Sequence, residues 1–269
     1  MTYGPPVDSR PHAQPGIPVL TAGERAHGPR WIVLLHGAFL NREVWAGYEP
    51  MLGAGHRVLT LDLPGHGSRS RAPFSVAAAV DVVAERIETV CGGSAIVVGH
   101  SLGGYTALAT ADARPDLVER LVLIGASAPP RGFSVPLTGV LLGLEWMPAS
   151  ISRACLGAMV ARTSPQLWRR IAGAGLDMRH GAAAIRALHE LDYWGAVRRF
   201  RGPLLVVNGT RDWIFRATET ATALAAADGS LVAIPGSGHL SPIERPELVS
   251  GAIRRFTERP AGEPRRPRA

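Results

Sequence analysis

Residues 99–104 read Gly99-His100-Ser101-Leu102-Gly103-Gly104. The apolar run Ala95-Ile96-Val97-Val98 precedes them, and the helix-like segment Tyr105-Thr106-Ala107-Leu108-Ala109 follows. Strand, sharp turn and helix are the context in which a G-x-S-x-G match becomes a nucleophile elbow. So tight a turn leaves no room for side chains beside the serine, and Gly99 and Gly103 have no Cβ to collide. Ser101 is then expected in a strained backbone conformation with its hydroxyl exposed.

Short apolar runs alternate with helical patterns on both sides of this stretch. Strands are expected at Ile17–Thr21, Trp31–Leu35, Arg57–Leu61, Ala95–Gly99, Arg120–Gly125, Pro203–Asn208 and Ser230–Ile234. Runs such as Ile32-Val33-Leu34-Leu35 and Leu204-Leu205-Val206-Val207 are apolar at every position, which suits parallel strands covered on both faces. Helices are expected at Glu43–Leu52, Ser75–Val90, Ser101–Arg114, Ala217–Ala227 and Arg245–Arg259. The alternation predicts an α/β fold with a mostly parallel central sheet flanked by helices. Residues 127–201 break the rhythm: they hold no convincing strand, and Pro136, Pro148 and Ser164-Pro165 mark helix starts. They read as an inserted helical cap on a core formed by residues 17–126 and 202–259. Residues 1–16, rich in Pro and Gly, and the basic tail 260–269 are expected to be disordered.

The chain has 269 residues, 46% of them hydrophobic, enough for a sizeable core. All 29 basic residues are arginine, so chemistry that needs a lysine, such as a Schiff base, is excluded. The net charge of +7 comes with a Pro-mixed arginine tail that has no interleaved aromatics, which points away from nucleic acid. No apolar run reaches 18 residues, and the first residues do not pair a basic with an apolar segment, so neither a transmembrane helix nor a signal peptide is expected. Cys91 and Cys155 are expected as buried free thiols of a cytoplasmic protein, a monomer or a homodimer. No His, Cys and Asp cluster has metal-ligand spacing, and no phosphate-binding glycine loop appears. No metal or cofactor is expected.

A serine hydroxyl needs an imidazole to take its proton and a carboxylate to hold that imidazole in the right tautomer. Nine histidines and nine aspartates are available, so position must decide. Sites in parallel sheets form at the carboxyl ends of strands. Asp212 follows the strand ending at Asn208, in Gly209-Thr210-Arg211-Asp212, and His239 follows the strand ending at Ile234, in Pro235-Gly236-Ser237-Gly238-His239. With Ser101 they lie on one sheet edge, in the chain order Ser, Asp, His.

These pieces, with His36-Gly37-Ala38-Phe39 and Asp62-Leu63-Pro64-Gly65-His66-Gly67-Ser68, make the chain resemble the α/β-hydrolase superfamily over nearly its whole ordered length. The resemblance implies Ser101 as nucleophile, His239 as general base and then acid, and Asp212 as its orienter. It also implies an oxyanion hole from the backbone N–H groups of Leu102 and Ala38, with Phe39 as donor if the turn is shifted by one residue. His36 is expected to brace the oxyanion turn, His66 to be structural, and His100 to point to the opposite side of the elbow. Asp62 is expected to form a turn, standing as a substitute for Asp212.

A serine at the elbow disfavours the aspartate chemistry of haloalkane dehalogenases and epoxide hydrolases. The function expected is acyl transfer through a serine ester, on a small, hydrophobic carboxylic ester, lactone or thioester. Phe39, Leu141, Trp146 and Trp213 are expected to line the substrate pocket, while Trp168 and Trp194 pack the cap. Arg131, Arg153, Arg162, Arg169 and Arg179 offer cations for a carboxylate or phosphate. The alternative is non-hydrolytic chemistry on the same triad: cofactor-free haloperoxidase or perhydrolase activity, C–C cleavage, or a lyase or cyclase step. A ligand-binding receptor is a third reading, which an intact triad argues against.

Overall fold

The computed structural model describes residues 29–53, 55–130, 148–176 and 178–259. Six strands form one parallel sheet: β1 (Arg30–Leu35), β2 (His56–Leu61), β3 (Ala95–His100), β4 (Val118–Ile124), β5 (Pro203–Gly209) and β6 (Asp228–Ile234). Their order is β2-β1-β3-β4-β5-β6. The chain steps from β1 to one side, then returns to place β3 on the other, so β1 and β3 flank the point where the winding reverses. Crevices that take ligands open there, outside the carboxyl ends of the strands.

The all-apolar runs have a simple cause. Successive residues of a strand face opposite sides of the sheet, and both sides here are covered. Val33, Leu35, Val97, Leu121, Leu123, Leu204 and Val206 feed one core, and Ile32, Leu34, Ile96, Val98, Val122, Ile124, Leu205 and Val207 feed the other. Helices α2 (Val76–Val90), α3 (Leu102–Ala113), α7 (Tyr193–Arg199) and α9 (Glu219–Ala225) contribute to the first core. Helix α1 (Tyr48–Leu52) and α11 (Pro246–Thr257) contribute to the second. Between β4 and β5 lie α4 (Ala149–Thr163), α5 (Pro165–Gly173), α6 (Met178–Ala187) and α7, with no strand among the described residues. Two short helices, α8 (Trp213–Arg216) and α10 (Ser241–Glu244), follow the ends of β5 and β6.

Several boundaries differ from the sequence reading. The helix expected at Glu43–Leu52 is a 3₁₀ turn, Arg42–Trp45, and the separate α1, parted by Gly47 at φ 87°. The helix expected at Ala217–Ala227 is the shorter α9. The strand expected at Ile17–Thr21, the terminal segments, Leu141 and Trp146 lie outside the described residues. Cys91 is buried, but Cys155 is exposed, correcting the expectation that both thiols are covered; both are free. Trp168 and Trp194 pack half-buried against the two cores.

At the amino ends of the strands, arginines hold the last helix. The final carbonyls of a helix have no partner within it. Arg30 donates to Thr257 O, and Arg120 donates to Phe256 O and to Arg259 O. Arg259 in turn donates through Nη2 to both carboxylate oxygens of Asp228, at 2.7 and 2.6 Å. No helix among the described residues is long and apolar enough to cross a membrane.

Candidate active site

The turn after β3 is as tight as its glycines suggest. Ser101 sits at φ 51°, ψ −116°, a region that costs a non-glycine residue of order 1–3 kcal/mol. Its N–H donates to Ile124 O of β4 at 2.8 Å, which fixes the elbow to the sheet. A Cβ on Gly99 would run into the backbone of Gly103, and one on Gly103 into the carbonyls of Leu35 and His36. Strand, elbow and helix therefore pack backbone to backbone, and that contact drives Ser101 into its strained geometry.

The loops after β5 and β6 are stitched together. Thr210 N donates to Ile234 O, Arg211 N to Ser237 O, and Gly236 N to Thr210 Oγ1, each at 2.9 Å. Glu244 of α10 accepts from Gly238 N at 2.8 Å. Held this way, His239 places Nδ1 2.9 Å from Asp212 Oδ2 and Nε2 3.1 Å from Ser101 Oγ. Asp212 is 4% exposed, whereas the His239 side chain keeps 37% of its surface open. A carboxylate screened from water and an imidazole open to reactants suit an orienter and a proton carrier. The Nδ1–H tautomer, donating to Asp212, leaves Nε2 free to accept the serine proton.

Leu102 is the first residue of α3, so its N–H has no acceptor within the helix and lies beside the serine. Ala38 follows the carboxyl end of β1, where Leu35 pairs with Gly99. A Cβ on Gly37 would lie 3.3 Å from Ser101 Cβ, so the two turns touch. Phe39 is the only other non-glycine residue at positive φ among the described residues, 63°. Its ring lies so close to Gly181 of α6 that any side chain there would overlap it. Phe39 thus wedges the β1 turn against the helices between β4 and β5. Trp213 is 65% exposed at the start of α8, while Phe215, two residues on, is buried.

The other polar residues near the elbow have structural partners. His36, fully buried, accepts from Leu63 N at Nε2 (3.1 Å), so Nδ1 carries the hydrogen and donates to Gly37 O (2.8 Å). It ties the β1 turn to the loop after β2. Burial, aided by His66, lowers its pKa from 6.5 to about 3, against the Gly37 carbonyl and Asp62. Asp62 accepts from Arg42 N, Ser68 N and Ser68 Oγ at 2.8–2.9 Å. Burial alone would raise its pKa, but these hydrogen bonds outweigh it and hold the carboxyl below its usual value. Asp62 forms its turn and makes no bond to His239. His100 does not point away from the site as expected: its ring lies 5.0 Å from that of His239.

Sequence reasoning missed Phe215. Its ring stacks on His239 at 4.8 Å and 16°. Its carbonyl accepts from Ser127 Oγ at 2.6 Å, and Asn208 Nδ2 donates to Ser127 Oγ at 2.9 Å. Its position three residues after Asp212 is the one signal in the chain that could have shown it.

Beside the His239 loop lies a groove of about 580 Å³ lined by Met159, Arg162, Thr163, Arg211, Leu240 and Arg245, among others. Glu244 is its one acidic lining residue, and that carboxylate already accepts from Gly238. No group of three or more His, Cys, Asp or Glu among the described residues could hold a metal ion.

A model of the alpha/beta hydrolase family matches residues 32–252, and the chain belongs to that family. A pimeloyl-[acyl-carrier protein] methyl ester esterase from Aromatoleum aromaticum is 31% identical over 251 residues, 83% of this chain and 98% of that protein. The esterase of the same name from Neisseria meningitidis serogroup A is 38% identical over 120 residues, 42% of this chain; the match spans 37% of that protein. Among solved structures, the enol-lactonase from Burkholderia xenovorans LB400 has a TM-score of 0.71 at 23% identity, covering 88% of this chain and 94% of that one, a likeness of fold.

Proposed function

We propose that this α/β hydrolase is a serine esterase that cleaves a carboxylic ester through an acyl-enzyme on Ser101. The observation that carries the reading is the unbroken line Ser101 Oγ, His239 Nε2, His239 Nδ1, Asp212 Oδ2, at 3.1 and 2.9 Å. Ser101 Oγ attacks the carbonyl carbon as His239 takes its proton, with Asp212 stabilising the imidazolium. The N–H groups of Leu102 and Ala38 hold the oxyanion, and removing one such donor typically costs about 10²–10³ in rate. His239 then returns the proton to the departing alkoxide, and water, deprotonated by the same imidazole, releases the acid. The test is a panel of activated esters of graded acyl length with a fluorophosphonate probe. We expect turnover and labelling, both lost in Ser101→Ala. Oxygen from labelled water must enter the acid product; a product without it would favour the lyase or perhydrolase alternative.

The groove favours an ester whose remote part is anionic. Arg162, Arg211 and Arg245 come from three separate segments and converge there, and guanidinium groups match carboxylate and phosphate oxygens. The names of the relatives give a methyl ester of a pimeloyl group on an acyl-carrier protein as their substrate, which supports the ester part of the reading. An ester with a distal carboxylate should beat its neutral analogue in kcat/KM, and Arg162→Ala with Arg211→Ala should erase the difference. An equal preference in both enzymes would remove this refinement and leave the esterase reading standing.

A further inference from the structure

We infer that His100 is a positioning residue for the base: through its Nε2–H it holds the backbone carbonyl of His239, and so sets the distance from the imidazole to Ser101. The inference rests on the serine esterase reading.

Four observations support it. His100 Nε2 lies 2.8 Å from His239 O, a contact that joins residues 139 apart. A carbonyl only accepts, so Nε2 is the donor. His100 is the last residue of β3, next to the nucleophile; one side chain thus links the strand that carries the serine to the loop that carries its base. The ring is fully buried, and its Nδ1 has no hydrogen-bond partner among the described residues. That nitrogen faces the oxyanion turn, where a Cβ on Gly37 would lie 2.8 Å away. His100 therefore fills the space between the turn that stabilises the oxyanion and the loop that supplies the base.

The ring is also held neutral. Burial, with the nearby His239, pushes its pKa from 6.5 to about 3, although the bond to the His239 carbonyl works the other way. The titratable ring in contact with it is His239, and His36 lies close enough to act on it electrostatically. A neutral Nε2–H tautomer donates to the carbonyl without placing a second positive charge beside the imidazolium that forms during reaction. A donor that only aims another group should show itself in the chemical step, since a misplacement of about 1 Å can cost about 10²-fold in rate.

The test is the second-order rate of Ser101 labelling by a fluorophosphonate, with kcat and KM for an activated ester, in His100→Phe, His100→Gln and His100→Asn. The amide nitrogen of Gln reaches the place of Nε2; that of Asn reaches only the place of Nδ1. We expect His100→Phe and His100→Asn to slow labelling and kcat by about 10- to 100-fold with KM within about twofold. We expect His100→Gln to recover to within about threefold of wild type. A role in stability alone would lower the melting temperature but leave the labelling rate of the folded enzyme intact. If His100→Phe does not fold, the Gln–Asn contrast decides. Labelling of all variants at the wild-type rate, or Gln no better than Asn, overturns the inference and leaves the esterase reading in place. A wild-type enzyme that the probe does not label overturns both.

Discussion

The ring of Phe215 lies 4.8 Å from the imidazole of His239 and within 16° of parallel to it. The stack matters most when His239 is protonated, because an aromatic face attracts a cation by about 0.5–2 kcal/mol. Phe215→Leu keeps much of the apolar bulk and removes the quadrupole. We expect kcat to fall about three- to thirtyfold with KM nearly unchanged, measured on an activated ester. An unaltered kcat would mean that the ring only fills space.

Asp212 makes its bond to His239 with a carboxylate that water barely reaches. Asp212→Asn offers an amide at that place and favours the wrong imidazole tautomer, a change that costs about 10⁴ in kcat in a comparable triad. We expect a loss of that order, with the melting temperature kept within a few degrees. Near-normal turnover would mean that Asp212 does not orient the imidazole.

The elbow glycines should be far less tolerant than a glycine with open space around it. Gly99→Ala and Gly103→Ala each drive a methyl group into backbone atoms, which no rotamer change can relieve. We expect each to lose several kcal/mol or fail to fold, as overpacking against rigid structure does. Gly173, in α5, has open space where a Cβ would stand, and Gly173→Ala should leave stability equal or raise it by up to about 1 kcal/mol. Denaturant midpoints of the three variants check the contrast.

Acid should destabilise this protein through two buried imidazoles. His36 and His100 have pKa values pushed from 6.5 to about 3 in the folded state. Between those limits the unfolded chain binds protons at both positions and the folded protein does not. Stability against unfolding therefore rises with pH through this window and is lost as pH falls from about 6.5 toward 3, each group adding about 1.4 kcal/mol per pH unit at most. Asp62, lowered in the folded state, acts in the same direction but at lower pH. Urea midpoints between pH 4.5 and 7 should climb, with a smaller slope in His36→Gln. An unchanged slope would show that His36 does not contribute.

Much of this was legible in the chain because the signals were local. Ser101 lies in a turn whose glycines declare how close its neighbours come. Asp212 and His239 each follow an apolar run that ends at the same sheet edge, and parallel topology does the rest. Contacts across the sheet were not legible. His100 gives no sign that its ring would turn toward residue 239, because nothing at position 100 encodes which loop lies beside it. Trp213 and Phe215 flank one residue of a four-residue helix, and the facing of so short an element is set by what it meets, here Ser127 and Asn208. The break at Gly47 was missed for the opposite reason: apolar periodicity persists through a glycine whose positive φ stops the helix.

The side chains that anchor the last helix and the residues after it stand at the amino ends of the strands: Arg30 opens β1, Arg120 lies near the start of β4, and Asp228, the partner of Arg259, opens β6. Ser101, Asp212 and His239 stand past the opposite ends. A six-residue strand is about 20 Å long, so the sheet itself separates the two. A dye, tag or solid support joined on the arginine side would report on the protein or immobilise it while leaving the edge that carries Ser101 clear.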